Sequence, residues 1–471
     1  MNASGTGSSV SIKGINYSSL GTGTSLTNNI VNNLTTASAN TSTLSSGSVV
    51  GINAQFNTGS ISISKNTITN LSNTSLSGAT TALGLFCGLT VSATNNIDRN
   101  IINSISLSTS GAGVITGLYA SYGATCNYQN NSISLGDGIT NSYAISGIID
   151  AANGSNINNY YFNSVYIGGT AVTGSAATYA FNSNTAANSR KFQNNIFVNA
   201  RSNGPGTGKH YAVKYTTGGT LTADYNDFLA TGSGAVFGYY GADIADLGAW
   251  RTATGKDAHS LNVNPNFASA TNLTPADGYY FPGTTISGIT TDMAGTTRAA
   301  APYRPDMGAY EKTSTSVVRW LGTTSTDWAA GTNWDKTDAT VPSSSDNLWI
   351  PTWGNNLTVH VTTPIASFAT CNKLTIYSGT SLTIDAGKAL TVTGTLTNNA
   401  SPGVIIRSDA TGSGSLIFNA PSVTGTMDRY ISHWTDDNHG WHFLSSPVTG
   451  HSPILCHPRR ITWRISTHGT R

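Results

Sequence analysis

The chain is 471 residues long, enough for two or three domains with cores of their own. Only 9% of its residues are charged and the formal net charge is +2, whereas an average soluble domain is about 25% charged. No run of Lys or Arg in the first 450 positions follows a phosphate backbone, so nucleic acid is not an expected partner.

Ser, Thr, Asn and Gly make up the deficit, yet Ile, Leu, Val and 20 Tyr recur throughout, which argues for a folded chain rather than a disordered one. Cys87, Cys126, Cys371 and Cys456 are far apart and form no CxxC. They read as small buried residues rather than metal ligands or a disulfide framework, and no metal or cofactor is expected. No apolar stretch is long enough for a transmembrane helix. The opening Met1-Asn2-Ala3-Ser4-Gly5 lacks the basic and apolar regions of a signal peptide, and the repeat begins almost at once, which reads as a fragment without its leader.

The strongest signal is periodic. An Asn followed two positions later by an apolar residue recurs at Asn32, Asn66, Asn100, Asn131, Asn163, Asn195 and Asn226, in steps of 34, 34, 31, 32, 32 and 31 residues. A second apolar element follows each time, as in Val50-Gly51-Ile52, Leu83-Gly84-Leu85, Thr116-Gly117-Leu118 and Tyr179-Ala180-Phe181. Strands such as Ile61-Ser62-Ile63-Ser64 alternate with period two, so one face turns inward.

A unit of about 32 residues cannot bury such faces alone, and stacking the units does. The expected fold is all-β, a right-handed parallel β-helix (a β-solenoid) over 1–311. The seven asparagines are expected to form a ladder of stacked amides, where Asp or Lys would stack like charges.

Rungs reading like Asn130-Asn131-Ser132-Ile133-Ser134-Leu135 resemble the secreted, Asn-rich β-helix repeat proteins of Bacteroidetes-type bacteria. The stretch Asp292-Met293-Ala294-Gly295-Thr296-Thr297-Arg298, then Pro305-Asp306-Met307-Gly308-Ala309-Tyr310-Glu311, looks like the closing segment of such helices. The resemblance implies an exported protein at the bacterial outer surface, often sent out by a route that reads a C-terminal sorting domain. This chain shows no such domain.

After a linker at 312–318, Trp320, Trp328, Trp334, Trp349 and Trp353 place five of the nine tryptophans within 34 positions. With Trp320-Leu321-Gly322, Asp327-Trp328 and Asn333-Trp334 this stretch resembles a module frequent in the same surface proteins. Alternation from Leu374 onward makes 319–425 an all-β module, either a short solenoid or a sandwich. Residues 426–450 look like the start of a truncated third β-module. The Arg- and His-rich tail at 451–471 has no β-pattern, and is read as a frameshifted or truncated end, with a genuine basic tail as the alternative.

Chemistry is sparse. Glu311 is the one glutamate and Asp98 the one acid in residues 1–130, whereas a glycosidase needs two facing carboxylates and a lyase an acidic cluster with a base. The weak catalytic or Ca²⁺ candidates are Asp224, Asp227 and Asp257, with Asp243, Asp246, Lys256 and His259 nearby. His433, His439 and His442 do not converge on one metal without a sharp turn, and Gly204-Pro205-Gly206-Thr207-Gly208 lacks the strand-to-helix setting of a phosphate loop.

The five clustered tryptophans are the carbohydrate-binding candidates, as sugar-stacking faces. The leading expectation is a non-catalytic, adhesin-like scaffold contacting glycans or other cell surfaces. A β-helix polysaccharide lyase or glycoside hydrolase is the alternative, and a passive spacer the third.

Overall fold

The computed structural model describes the chain except for residues 1, 4–6, 19–22, 56–58, 77, 90–93, 122–124, 152–156, 185–187, 277–280, 313–315, 323, 351–357, 362–368, 402, 419–422, 431–453, 458–459 and 466–471. At 2–3, 358–361, 454–457 and 460–465 it describes the backbone alone. Two compact units result. The first comprises 1–276, 286–298 and 306–312, and the second comprises 277–285, 299–305 and 313–471. The closing stretch expected to belong wholly to the first unit is therefore divided between the two.

The first unit is a parallel β-solenoid built on three long sheets, with a two-stranded one, Thr170–Ala171 and Ser202–Asn203, beside them. Sheet A stacks Ile30–Thr36, Thr67–Asn73, Ile101–Leu107, Ser132–Leu135, Ser164–Ile167, Ile196–Asn199 and Asp227–Ala230 in parallel register. Its inward column runs Val31, Ile68, Ile102, Ile133, Val165, Phe197 and Phe228, all buried. Sheet B stacks Ile12–Ser18 through His210–Lys214 and Ala235–Tyr239. Sheet C stacks Thr24–Thr27 through Thr220–Asp224.

Apolar residues at alternate positions send one face of each strand into a common core, which turns from aliphatic to aromatic along the chain. Tyr128, Tyr160 and Phe192 stack at 4.8 and 5.2 Å there.

The glycines recurring in sheet B have a steric cause. A Cβ at Gly84 would lie 2.5 Å from Ile102 Cγ2 and 2.6 Å from the Gly117 carbonyl oxygen, so that sheets A and B approach closely only where sheet B has no side chain.

The amide ladder runs along the corner between sheets C and A. Asn66 Nδ2 donates to Asn100 Oδ1 at 2.9 Å, and the Asn66 backbone N–H donates to the same oxygen at 3.1 Å. Asn100, Asn131, Asn163 and Asn195 repeat the pattern up to Asn226. Each Nδ2 also donates to a strand carbonyl of the preceding rung, Ile63 in the case of Asn100. Every interior amide thus makes four hydrogen bonds while fully buried, the full capacity of an Asn side chain.

At the first rung the register differs from expectation. Asn29, not Asn32, donates to Asn66 Oδ1, and the two residues are 37 apart. Asn32 instead is exposed, pairs with Thr69 in sheet A and accepts from Asn70. The first rung is longer because its turn between sheets A and B includes a 3₁₀ segment, Leu44–Ser46.

Before each ladder residue the chain turns through a left-handed conformation, at Asn28, Lys65, Arg99, Asn130, Phe162, Asn194 and Tyr225. Asparagine tolerates this region and β-branched residues do not, which accounts for the doubled Asn-Asn in several rungs.

The ladder is capped by Ser260 and Asp257, whose side-chain oxygens accept from the Asn226 backbone N–H and Nδ2. Helix α1 (Leu247–Thr254) precedes these two residues in the chain, with Asp246 as its N-cap and Gly255 as its left-handed C-cap. Its Trp250 is fully buried and donates from Nε1 to Asp257 Oδ2 at 2.9 Å.

The second unit settles the choice left open for the Trp-rich module. Its sheets are parallel: Val317–Arg319 with Asn347–Ile350, Lys373–Ile376 and Leu396–Asn398, and Ser381–Ile384 with Gly403–Ile406 and Gly425–Tyr430. It is a second, shorter solenoid, not a sandwich. Two boundaries move accordingly. Gly425–Tyr430 is a rung of this solenoid rather than the start of a third module. Arg460–Ile465 pairs antiparallel with it, and Ile454–His457 pairs with Arg460–Ile465, so the expected patternless tail contributes two strands.

Candidate functional site

In the first unit the chain returns along its own surface. After Ser260, Leu261 adds a parallel bridge to Asp227, Val263 N–H donates to Asp227 Oδ1 at 2.9 Å, and Phe267 packs edge-on against Tyr166. Ser134 then donates to the Ala270 carbonyl. The signature segments form a clasp further along: Arg298 N–H donates to the Thr290 carbonyl, Met293 N–H to the Ala309 carbonyl, and Ala309 N–H to Ser164 Oγ.

Arg298 holds the clasp together. Its guanidinium is buried, donates to Glu311, Asn130 and the carbonyls of Asp306 and Gly308, and lies over the Phe162 ring. Glu311 in turn accepts from the Asp306 N–H. The sole glutamate is therefore structural, and Arg298 is a residue that composition alone did not single out.

The return segment covers the outward face of sheet A over its four-residue strands, from Ser132–Leu135 onward, and leaves the seven-residue strands before them open. The open face carries Asn32, Thr69 and Asn103 in one column, Asn33, Asn70 and Ser104 in the next, and Thr35, Ser72 and Ser106 beyond. These residues are exposed or half-buried and already linked in part, as by Thr35 to Ser72 at 2.9 Å and Thr69 to Asn103 at 2.6 Å. A groove of about 380 Å³ runs over them to Asp137 and Thr271. Hydroxyl and amide groups make up most of its lining, with Asp137 as its one charged residue and Ile105, Leu135 and Ile139 beside them, a chemistry that exchanges hydrogen bonds with polyhydroxylated ligands.

The acids expected as weak catalytic candidates are drawn into the architecture. Asp257 is the buried ladder cap, and its burial raises its pKa. Asp227 is fully buried under the return segment, with Oδ2 unpaired, and burial pushes its carboxyl up to about 7. Asp224 accepts from the His259 N–H and from His259 Nδ1 at 2.7 and 2.8 Å, and His259 stacks on Tyr225.

No hydrogen bond joins any two of the three acids among the described residues, and none of them lines the groove. Asp246 caps helix α1, and Asp243 pairs with Lys209. Among the described residues no cluster of three or more His, Cys, Asp or Glu is arranged to hold a metal ion.

The tryptophan expectation is corrected. Trp320, Trp328 and Trp334 are the core of the second unit, at 0, 0 and 2% exposure, and meet edge to face at 4.9 and 4.8 Å. No ring face remains for a sugar. Their motifs are locking devices: Asn333 Oδ1 accepts from the Thr324 and Ser325 N–H groups, Trp334 Nε1 donates to the Trp328 carbonyl, and Asp335 forms a buried pair with Arg319 at 2.8 Å. Trp349 is half-buried against Tyr377. Trp353, His433, His439 and His442 lie outside the described residues.

Residues 319–468 match a family described as a domain of unknown function (DUF8693). The match spans the second solenoid and includes the tail set apart in the sequence reading. No curated protein and no solved structure matches the chain.

Proposed function

We propose that the protein is a non-catalytic extracellular or cell-surface scaffold, adhesin-like, whose first solenoid contacts glycans through the open outward face of sheet A. The observation that carries this reading is the division of that face. The chain covers its later rungs with its own return segment and leaves a groove lined mostly by hydroxyls and amides over the earlier ones. The burial or pairing of Asp227, Asp257 and Glu311 supports a surface over an active centre. Rung-by-rung repetition suits weak, additive contacts whose strength comes from avidity.

An immobilised glycan panel tests it. Ser72→Trp and Ser106→Trp fill the groove from positions outside the left-handed region, and are expected to lower retention at least ten-fold while the far-ultraviolet spectrum stays that of the parent. Equal retention by parent and variants removes the open face from the account.

A further inference from the structure

We propose that the outward face of sheet B, at Tyr179, Tyr211, Tyr239 and Lys214, is a binding site for acidic saccharides, with sugar rings packed on tyrosine and an anionic substituent on Lys214. The proposal rests on the glycan-contact reading above, and adds to it a second site and a ligand class.

Strand register builds the site. Ser146, Tyr179 and Tyr211 share one column and Lys214 and Tyr239 another, with their strand neighbours Ala180, Ala212 and Val213 in the core; Tyr179, Lys214 and Tyr239 are half-buried, while Tyr211 is 6% exposed and supports the rings beside it. Tyr179 and Tyr211 stack at 5.1 Å with an interplanar angle of 5°, and Tyr239 meets Tyr211 edge-on at 6.2 Å. Tyr211 is fixed by donating to Asp243 Oδ1 at 2.9 Å.

The stack ends at the rung of Ser146, a small residue. The Tyr179 ring therefore has a face with no aromatic partner among the described residues. Rungs repeat at about 4.8 Å, close to the separation of stacked rings, so a pyranose ring laid on that face of Tyr179 continues the stack at the rung of Ser146, which is itself 8% exposed.

The charges select the ligand. Asp243 neutralises Lys209 at 2.5 Å. Among the described residues Lys214 has no such partner: its Nζ lies 5.5 and 5.7 Å from the Tyr179 and Tyr239 ring centroids, and its polar contact there is to Asn184 Oδ1 at 3.5 Å. No ion pair of the described residues includes it. Ring stacking along a solenoid accounts for the tyrosines alone; it does not account for a half-buried cation held over two of them. A carboxylate or sulfate on a sugar packed against Tyr179 completes that charge.

Calorimetric titration of the whole chain with hexagalacturonate, neutral cellohexaose and poly-glutamate tests the proposal. The uronate is expected to bind at least ten-fold more tightly than the neutral sugar. Lys214→Gln is expected to erase that difference with melting unchanged, and Tyr179→Ala to weaken both sugars ten-fold. Absence of uronate binding, an unchanged Kd in Lys214→Gln, or poly-glutamate binding as tight as the uronate would each overturn it, the last by pointing to an acidic peptide. Glycan retention that Ser106→Trp abolishes and Tyr179→Ala leaves intact keeps the open-face reading and removes this one.

Discussion

The guanidinium of Arg298 lies 3.8 Å from the centroid of the Phe162 ring, although the two residues are far apart in the chain. Phe162 occupies the left-handed corner before Asn163, and Arg298 belongs to the closing signature. The contact therefore ties the clasp to the ladder corner. Its partners are as buried as the guanidinium itself, with Arg298 and Glu311 side chains 2 and 0% exposed.

Arg298→Met leaves the Glu311 carboxylate buried without its partner, a defect that costs about 3–5 kcal/mol. Urea unfolding is expected to shift accordingly, and the Met293 and Gly308 amides, which donate to Ala309 and Asn194, to exchange faster. Unchanged exchange at both amides contradicts the clasp.

Asn131→Leu removes an amide that accepts two hydrogen bonds from Asn100 and donates to Asn163 and the Ile97 carbonyl. Each stranded buried group costs about 1–3 kcal/mol, so the variant is expected to lose several kcal/mol or fail to fold. Asn32→Ala, at an exposed position outside the ladder, is expected to stay within about 0.5 kcal/mol of the parent. Asn29→Ala should be the more damaging of the two, which melting curves will show.

The parallel stacking was legible because period and alternation act along the whole chain, and each rung repeats the same solution. The first register was not. Asn29 and Asn32 both precede an apolar residue by two positions, and the nearly constant spacing favoured the wrong one because nothing local marks a long turn as insertable. The tryptophans were visible as a cluster but not as a core, since composition does not say which way a ring faces. The role of Asp257 as ladder cap depends on Asn226, 31 residues away, and that of Arg298 on Asn130, 168 away, both beyond the reach of any local pattern.

Gly84→Val places two methyls where even a Cβ meets Ile102 at 2.5 Å. Overpacking of this kind costs about 1–3 kcal/mol. Thermal melts are expected to drop for Gly84→Val far more than for Gly138→Val, a glycine with nothing within 4 Å but with a strained φ of +71°.

Two buried groups give opposite pH dependences. Asp227 titrates near 7 in the fold against 3.8 unfolded, so the stability it contributes is present below about pH 4 and lost as pH rises through 7. His210, buried between Thr178 and Asn203, is pushed down to about 4 from 6.5. Its contribution is present above pH 6.5 and lost as pH falls through 4. Asp227→Asn is expected to raise stability above pH 7 and steepen the loss on acidification, measured by melts between pH 4 and 8. A parallel pH profile in parent and variant contradicts the assignment.

The most direct measurement is a polysaccharide panel scored at once for retention and for released product, with the parent chain and Asp224→Ala side by side. The scaffold account predicts retention of one or more glycans, equal in parent and variant, with no product from either. Product that the parent releases and Asp224→Ala does not would contradict it, and would place an active centre at the last rung of the first solenoid.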